Sequence, residues 1–416
     1  MKKNKLIIII VSIILVLVLI LAVCFSLRII KKISAKNKEI VVWTLQMNDF
    51  TPYMIDVITK FENQNPGIKI KWIDVPFSEG EKRTLAAILS DNPPSLVNLN
   101  PDFSSVLAQK GALEEISKNT LKDYNQSLIN AFEINGKNYF IPWYATSAIT
   151  IYNKKLLSKA GFQIPPKTYK DVEKYAQEVF DKTGSYIFMP TVTENDTLLK
   201  ILNKYGIDNP NKLTSNKSIE IFDFYKNLYK KKLIPEESVT QTHREALEKY
   251  MSQNIVTLQA GANFLNLIKE NAPNVYKNTD VSNQIVGDLG QYDFSMMNFV
   301  IPKKAKHKQY ALKFALFLTN EENQLELAKL TNILATNENA LKDEYYQKYD
   351  EKDLLSKARV LSAQQLYKIE PILKTQKSQK DVNTVLNTSI QMILLDNTDT
   401  KKVLESASKK WSKLNY

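Results

Sequence analysis

Cysteine is all but missing from these 416 residues, and the one copy, Cys24, lies inside an apolar N-terminal run. The rest of the chain therefore cannot form an internal disulfide, and its thiol content points to neither side of a membrane. Arginine is nearly as scarce, occurring at Arg28, Arg83, Arg244 and Arg359. The guanidinium fork is the group best suited to phosphates and base edges. Dispersed lysine with so little arginine argues against nucleic-acid recognition. The two histidines, His243 and His307, each lie in a polar stretch rich in Lys and Glu. Both read as solvated side chains rather than as catalytic bases or metal ligands. No zinc spacing, nucleophile elbow or P-loop occurs, so no metal, cofactor or catalytic residue is expected. Paired carboxylates acting on a glycosidic bond are the main enzymatic alternative, because Asp and Glu are plentiful.

What is present fits a folded protein. Hydrophobic residues make up 44% and charged residues 24%, the balance of a globular chain, and the length suggests two domains. The formal charge of +12 includes six basic groups within residues 1–35, where there is no acid. The remainder carries 50 basic against 44 acidic residues, spread over a long body.

Leu6–Ile30 is almost wholly Ile, Leu and Val, and Leu6–Leu27 alone supplies 22 residues. At about 1.5 Å per residue this crosses a hydrocarbon core of about 30 Å. A secretory signal has a shorter apolar core, of about 7–15 residues, followed by small residues. Leu21-Ala-Val-Cys24 is similar to a lipobox but has Val23 where a small residue belongs. The segment reads as an uncleaved single-pass membrane anchor, with a lipoprotein and a cleaved signal as alternatives. Basic residues flank both ends, so charge does not orient it.

Beyond the anchor, strands and helices alternate. Glu39–Leu45 reads as a buried strand. A helix follows with Thr51 as cap, Pro52 at its first position, and Met54, Val57, Ile58 and Phe61 as its apolar stripe. Pro66-Gly67 ends it, and Ile68, Ile70 and Trp72 alternate with Lys69 and Lys71 as a half-buried strand. Further helices are expected around Glu81–Leu89 and Phe103–Lys110, and strands at Leu96–Leu99, Tyr139–Ile141, Ala148–Tyr152, Ile255–Leu258 and Asp293–Ile301. Later amphipathic helices carry Val172/Tyr175/Ala176/Val179, Phe222/Tyr225/Leu228/Tyr229 and the stripes of residues 382–394 and 403–414. This order predicts an α/β fold with a mostly parallel sheet. Ligands of such sheets bind beyond the carboxyl ends of the strands, which singles out the loops Gln46–Asp49 and Asn100–Asp102.

Several stretches in order carry a resemblance. They include Ile40-Val-Val-Trp43, Phe61-Glu-Asn-Gln-Asn-Pro-Gly67, Leu85–Val97 with its paired prolines, and Gln109-Lys-Gly-Ala-Leu-Glu-Glu-Ile116. Asn135-Gly-Lys-Asn-Tyr-Phe-Ile-Pro-Trp143, Ile151-Tyr-Asn-Lys-Lys-Leu-Leu157, Pro165-Pro-Lys-Thr-Tyr169, Tyr310–Thr319 and Val403–Trp411 continue the series. Together they resemble the extracellular solute-binding proteins of ABC importers, the sugar-binding family that includes maltose-binding protein. The chain departs from the family at Asn92-Pro-Pro-Ser95, which lacks a preceding Gly and a following Asp, and in having just 10 glycines.

The resemblance implies a two-lobed periplasmic-binding-protein fold after the N-terminal transmembrane helix of residues 1–35. One lobe would comprise residues 36–146 with about 285–322, the other about 147–284 with 323–416. It also implies an extracytoplasmic body, a membrane permease as partner, and capture of a small solute by hinge closure of a monomer. Asn48, Asp49, Asn100, Asp102, Trp143, Tyr144, Asn263 and Phe264 are the candidate ligand contacts. Aromatic faces suit the C–H faces of sugars, and carboxylates and amides suit their hydroxyls. Trp43 and Trp72 are expected in the core. The absence of arginine from these loops favours a neutral sugar or oligosaccharide over a phosphorylated polyol, with a cation or peptide as further alternatives.

Overall fold

The computed structural model describes residues 38–45, 47, 50–369 and 379–414. The proposed anchor, the candidates Asn48 and Asp49, and Gln46 lie outside these residues. Among the described residues no helix is long and apolar enough to cross a membrane. The chain divides into two compact units, one running through Val97 with Lys304–Phe317, the other Asn98–Lys303 with Leu318 onward.

In the smaller unit β1 (Lys38–Leu45) lies between β2 (Ile68–Val75) and β3 (Leu96–Leu99), both parallel to it. Lys38 pairs with Ile68 and Leu45 with Val75, so the two strands are in register from end to end. The helix Thr51–Gln64 buries Met54, Val57 and Phe61, as its period predicts. Its N-cap is Phe50 and Thr51 is already helical, so Thr51 is not the cap. Phe61 meets Phe314 edge-on at 4.8 Å, which ties in the helix Lys308–Leu318. Trp72 and Trp43 are half-buried rather than core. Trp72 donates to Thr44 at 2.7 Å, and Thr44 donates in turn to Asp74 at 2.6 Å. The other Asp74 oxygen accepts the Met47 N–H at 2.9 Å, which closes the turn after β1.

The larger unit is organised on one long strand. The sequence suggests two strands around Pro142-Trp-Tyr; instead β4 runs unbroken from Ile141 to Asn153. Its first half pairs antiparallel with β7 (Phe294–Val300), and its second half with β5 (Thr257–Gly261) and β6 (Thr279–Ser282). The register against β7 shifts between Pro142 and Tyr144. A bulge there accommodates a proline that has no N–H to donate. A two-residue strand, β8 (Leu334–Ala335), also pairs with β4. These pairings are antiparallel, so the expectation of a mostly parallel sheet holds for the smaller unit and fails here. The helices Tyr169–Thr183, Asn216–Lys230, Gln379–Leu394 and Thr400–Leu414 share one apolar core, centred on Phe222, Tyr225, Leu386 and Trp411. Their apolar stripes are those read from the sequence.

Candidate functional site

The larger unit holds a cavity of about 400 Å³. β4 contributes Thr146 and Ala148, and β5 contributes Thr257–Gly261. The loop and helix over residues 188–204 bring Phe188, Glu194, Asn195, Asp196, Lys200 and Lys204. Tyr169, Tyr225, His243, Gln284, Asp293, Phe294 and Ser295 complete the wall. A smaller space of about 120 Å³ shares Asp196, Lys200, Phe294 and Ser295 with it and adds Asn100, Asp102, Phe132 and Gln379. The shared residues make the smaller space an annex of the larger.

The polar side chains in this wall are held by one another. Lys204 is almost fully buried and pairs with Asp293 at 2.8 Å while donating to the Ile285 carbonyl at 3.0 Å. Asp293 also accepts from the Gln284 amide nitrogen at 3.2 Å, and its backbone N–H donates to the Gln284 side-chain amide oxygen at 2.7 Å. Lys200 pairs with Asp196 at 3.1 Å, one turn away on the same helix. Burial opposes the Lys200 charge, but Asp196, Asp293 and Asp102 outweigh it and hold its pKa above the ordinary 10.5. Gln259 donates to Thr150 at 2.8 Å and accepts from the Ile285 N–H at 3.1 Å, which fixes its amide at the cavity edge. The Glu194 carboxylate accepts the His243 N–H at 2.7 Å, at the start of the helix His243–Met251.

The residues expected from the sequence fare differently. Asn100 and Asp102 come together in the annex. Asn100 caps the helix Pro101–Gln109 by accepting the Phe103 N–H at 2.8 Å, and Asp102 accepts from Gln379 at 3.3 Å. Trp143 is 0% exposed and packs on Phe299 at 4.6 Å, because the bulge turns it into the core. It lines neither space. Tyr144 is half-buried beside it, edge-on at 5.2 Å. Asn263 is exposed and folds its amide over Gly261, where a Cβ would lie 2.5 Å from the amide oxygen. Phe264 stands behind the wall and meets His243 edge-on at 5.0 Å.

His243 corrects the reading of a solvated side chain. It is half-buried in the cavity wall, and burial pulls its pKa below 6.5 while Glu194 pulls the other way. His307 is exposed, as expected. Glu194, Asp196, Lys200, Gln259 and Asp293 were not singled out by the sequence. Gln259 gave a signal, as the one amide in the apolar stretch Ile255–Ala260, and so did the polar run Thr193–Thr197. Among the described residues no group of three or more His, Cys, Asp or Glu side chains could hold a metal.

The model of the bacterial extracellular solute-binding proteins matches residues 56–352. The chain belongs to that family. A "putative binding protein" of Brucella abortus is 24% identical over 377 residues, covering 86% of this chain and 89% of its own. A solved "putative oligosaccharide periplasmic-binding protein" from Synechococcus is 28% identical with a TM-score of 0.82, over 90% of this chain and 98% of that one. The sugar-binding protein MalE from Xanthomonas citri has the same fold, with a TM-score of 0.76 at 18% identity, over 91% and 97% of the two chains. The fold is thus the α/β fold of periplasmic binding proteins. Members of the family bind solutes rather than transform them.

Proposed function

We propose that this member captures a neutral sugar or oligosaccharide in the cavity of the larger unit and presents it to the permease of an ABC importer. The observation that carries this is the charge balance of the wall. Both lysines are taken up by carboxylates, at 2.8 and 3.1 Å, so neither stands ready for a phosphate. What remains for a ligand is Glu194, the Asn195 amide, hydroxyls such as Thr146 and Ser295, and the faces of Phe188 and Phe294. That inventory matches hydroxyl groups on a ring with flat C–H faces. The names of the Synechococcus and Xanthomonas proteins, for oligosaccharide and sugar binding, agree with it.

In this reading the two lobes given by the resemblance close on the solute, so that binding is coupled to a shape the permease recognises. Residues 6–27 anchor a monomeric body outside the cytoplasm. Thermal melting of the detergent-solubilised full chain against neutral sugars and sugar phosphates tests the ligand class. A hundredfold excess over Kd stabilises by about 2.7 kcal/mol, and a neutral sugar should give that shift. Stabilisation by sugar phosphates alone contradicts the reading. For the anchor, cells expressing Cys24→Ala should keep the protein in the membrane fraction; its release would make the anchor a lipid on Cys24.

A further inference from the structure

Behind the solute cavity the larger unit contains a second space, of about 300 Å³. It opens among the helices Tyr169–Thr183, Thr197–Asn203 and Asn216–Lys230. That volume is at the low end of ligand pockets, which run from about 300 to 1,000 Å³. Tyr169, Tyr205 and Phe224 present partly exposed rings to it, and Ile201, Ile221 and Tyr225 form its buried floor. Tyr169 lies 6.2 Å from Tyr205 and meets Phe224 edge-on at 6.2 Å, so the three rings form one angled wall.

The rim is polar and nearly balanced. Lys170 and Lys217 stand against Glu173, Glu220 and Asp223. Lys217 is held by Glu220 at 2.9 Å and Asp288 at 3.1 Å, and Asp223 accepts from Thr400 at 2.5 Å. The Glu173 carboxylate and the Asn227 amide are left to serve a ligand. Rings, one carboxylate and one amide, with Lys217 engaged and Lys170 at the exposed edge, repeat the chemistry of the solute cavity.

The two spaces share a wall. Tyr169, Ile201 and Tyr225 line both, and the Lys204 ammonium, paired with Asp293 in the first, lies 5.9 Å from the Tyr169 ring centre.

We infer that this second cavity is a separate sugar-ring site, holding one neutral pyranose against Tyr169, Tyr205 and Phe224 with Glu173 and Asn227 on its hydroxyls. The inference rests on the carbohydrate reading of the first cavity, from which the ligand class is taken. Because Tyr169 lines both spaces, occupancy of the second is coupled to occupancy of the first.

Saturation-transfer NMR on the full chain, with methyl α-D-glucopyranoside as probe, tests it. The wild type should transfer saturation to the ring protons, and Asp196→Asn, which alters the first cavity, should leave a residual signal. Tyr205→Ala should weaken that residual binding about three- to tenfold, the loss expected of one stacked ring. If Tyr205→Ala does not fold, Glu173→Gln at the exposed rim carries the test, with a loss in the same direction. A signal abolished by Asp196→Asn, or indifferent to both rim variants, overturns the second site and leaves the carbohydrate reading standing. Absence of any signal from the wild type overturns the second site as well; the melting screen with neutral oligosaccharides then judges the first cavity by itself.

Discussion

At the scale of single residues, the strongest electrostatic commitment is Lys204. Its side chain is 5% exposed and its partner Asp293 is 20% exposed. Removing one member of a buried pair strands the other charge, at a cost of about 3–5 kcal/mol. Asp293→Asn should lose roughly 3 kcal/mol in urea unfolding, discounted toward the lower figure because Asp293 still touches solvent. His243 makes a pH-dependent contribution of known sign. Its folded pKa lies below 6.5, so the unfolded chain takes up a proton first as the pH falls. Its contribution is complete above pH 6.5 and declines below it, until the folded state is also protonated. Melting curves between pH 5 and about 7.5 should show this loss, and His243→Gln should flatten it. Trp143 is a third case. Fully buried and packed on Phe299, it should cost about 3–5 kcal/mol of stability as Trp143→Ala, with solute affinity changed little in whatever fraction folds.

These residues show what the sequence could and could not disclose. The resemblance puts Trp143 among the ligand contacts, but its neighbours in sequence do not reveal the bulge between Pro142 and Tyr144 or the burial of the ring. His243 is surrounded in sequence by Thr, Arg and Glu; its burial comes from Phe264, twenty-one positions later, and from the cavity wall. Asn100 and Asp102 were accessible because a strand end and a helix cap are local features. Lys204 and Asp293, nearly ninety positions apart, have no local signature at all.

At the scale of elements, helix period was the most legible signal, whereas the cap read from the sequence, Thr51, falls one residue inside its helix. Val172, Ala176 and Val179 are buried at their expected spacing, and Thr168 with Asp171 forms a capping box. Asp171 accepts the Thr168 N–H at 2.8 Å, and the Thr168 hydroxyl accepts the Asp171 N–H at 3.2 Å. Thr168→Ala should therefore cost about 1 kcal/mol. Since Tyr169 is the first residue of that helix and lines both cavities, the same substitution should weaken ligand binding, though it touches neither cavity. Comparing its affinity with that of an equally destabilised variant elsewhere separates positioning from general loss of stability. Strand extent was harder to read. β4 alternates poorly along its length because its two halves pair with different neighbours, and a proline interrupts the pattern. Period-two arguments cannot see through such a change of partner.

At the scale of the whole molecule, the α/β class and the family were legible because the motifs keep their order along the chain, although each is weak alone. The cavity itself was not, because its wall draws on residues from Thr146 to Ser295 that meet only after β4, β5 and β7 have paired. Family membership establishes solute binding, and the proposal of a neutral solute rests on the paired lysines. Calorimetric titration of the full chain with the best-stabilising neutral sugar, in wild-type and Glu194→Ala forms, tests that account most directly. Glu194 accepts one backbone N–H and otherwise faces the cavity, so its removal leaves sugar hydroxyls unpaired at a cost of about 1–3 kcal/mol. The account predicts saturable binding by the wild type, weakened by roughly ten- to a hundredfold in Glu194→Ala, with a small change in melting temperature. Equal affinity in the two forms, or tight binding of a sugar phosphate in place of the neutral sugar, would contradict it.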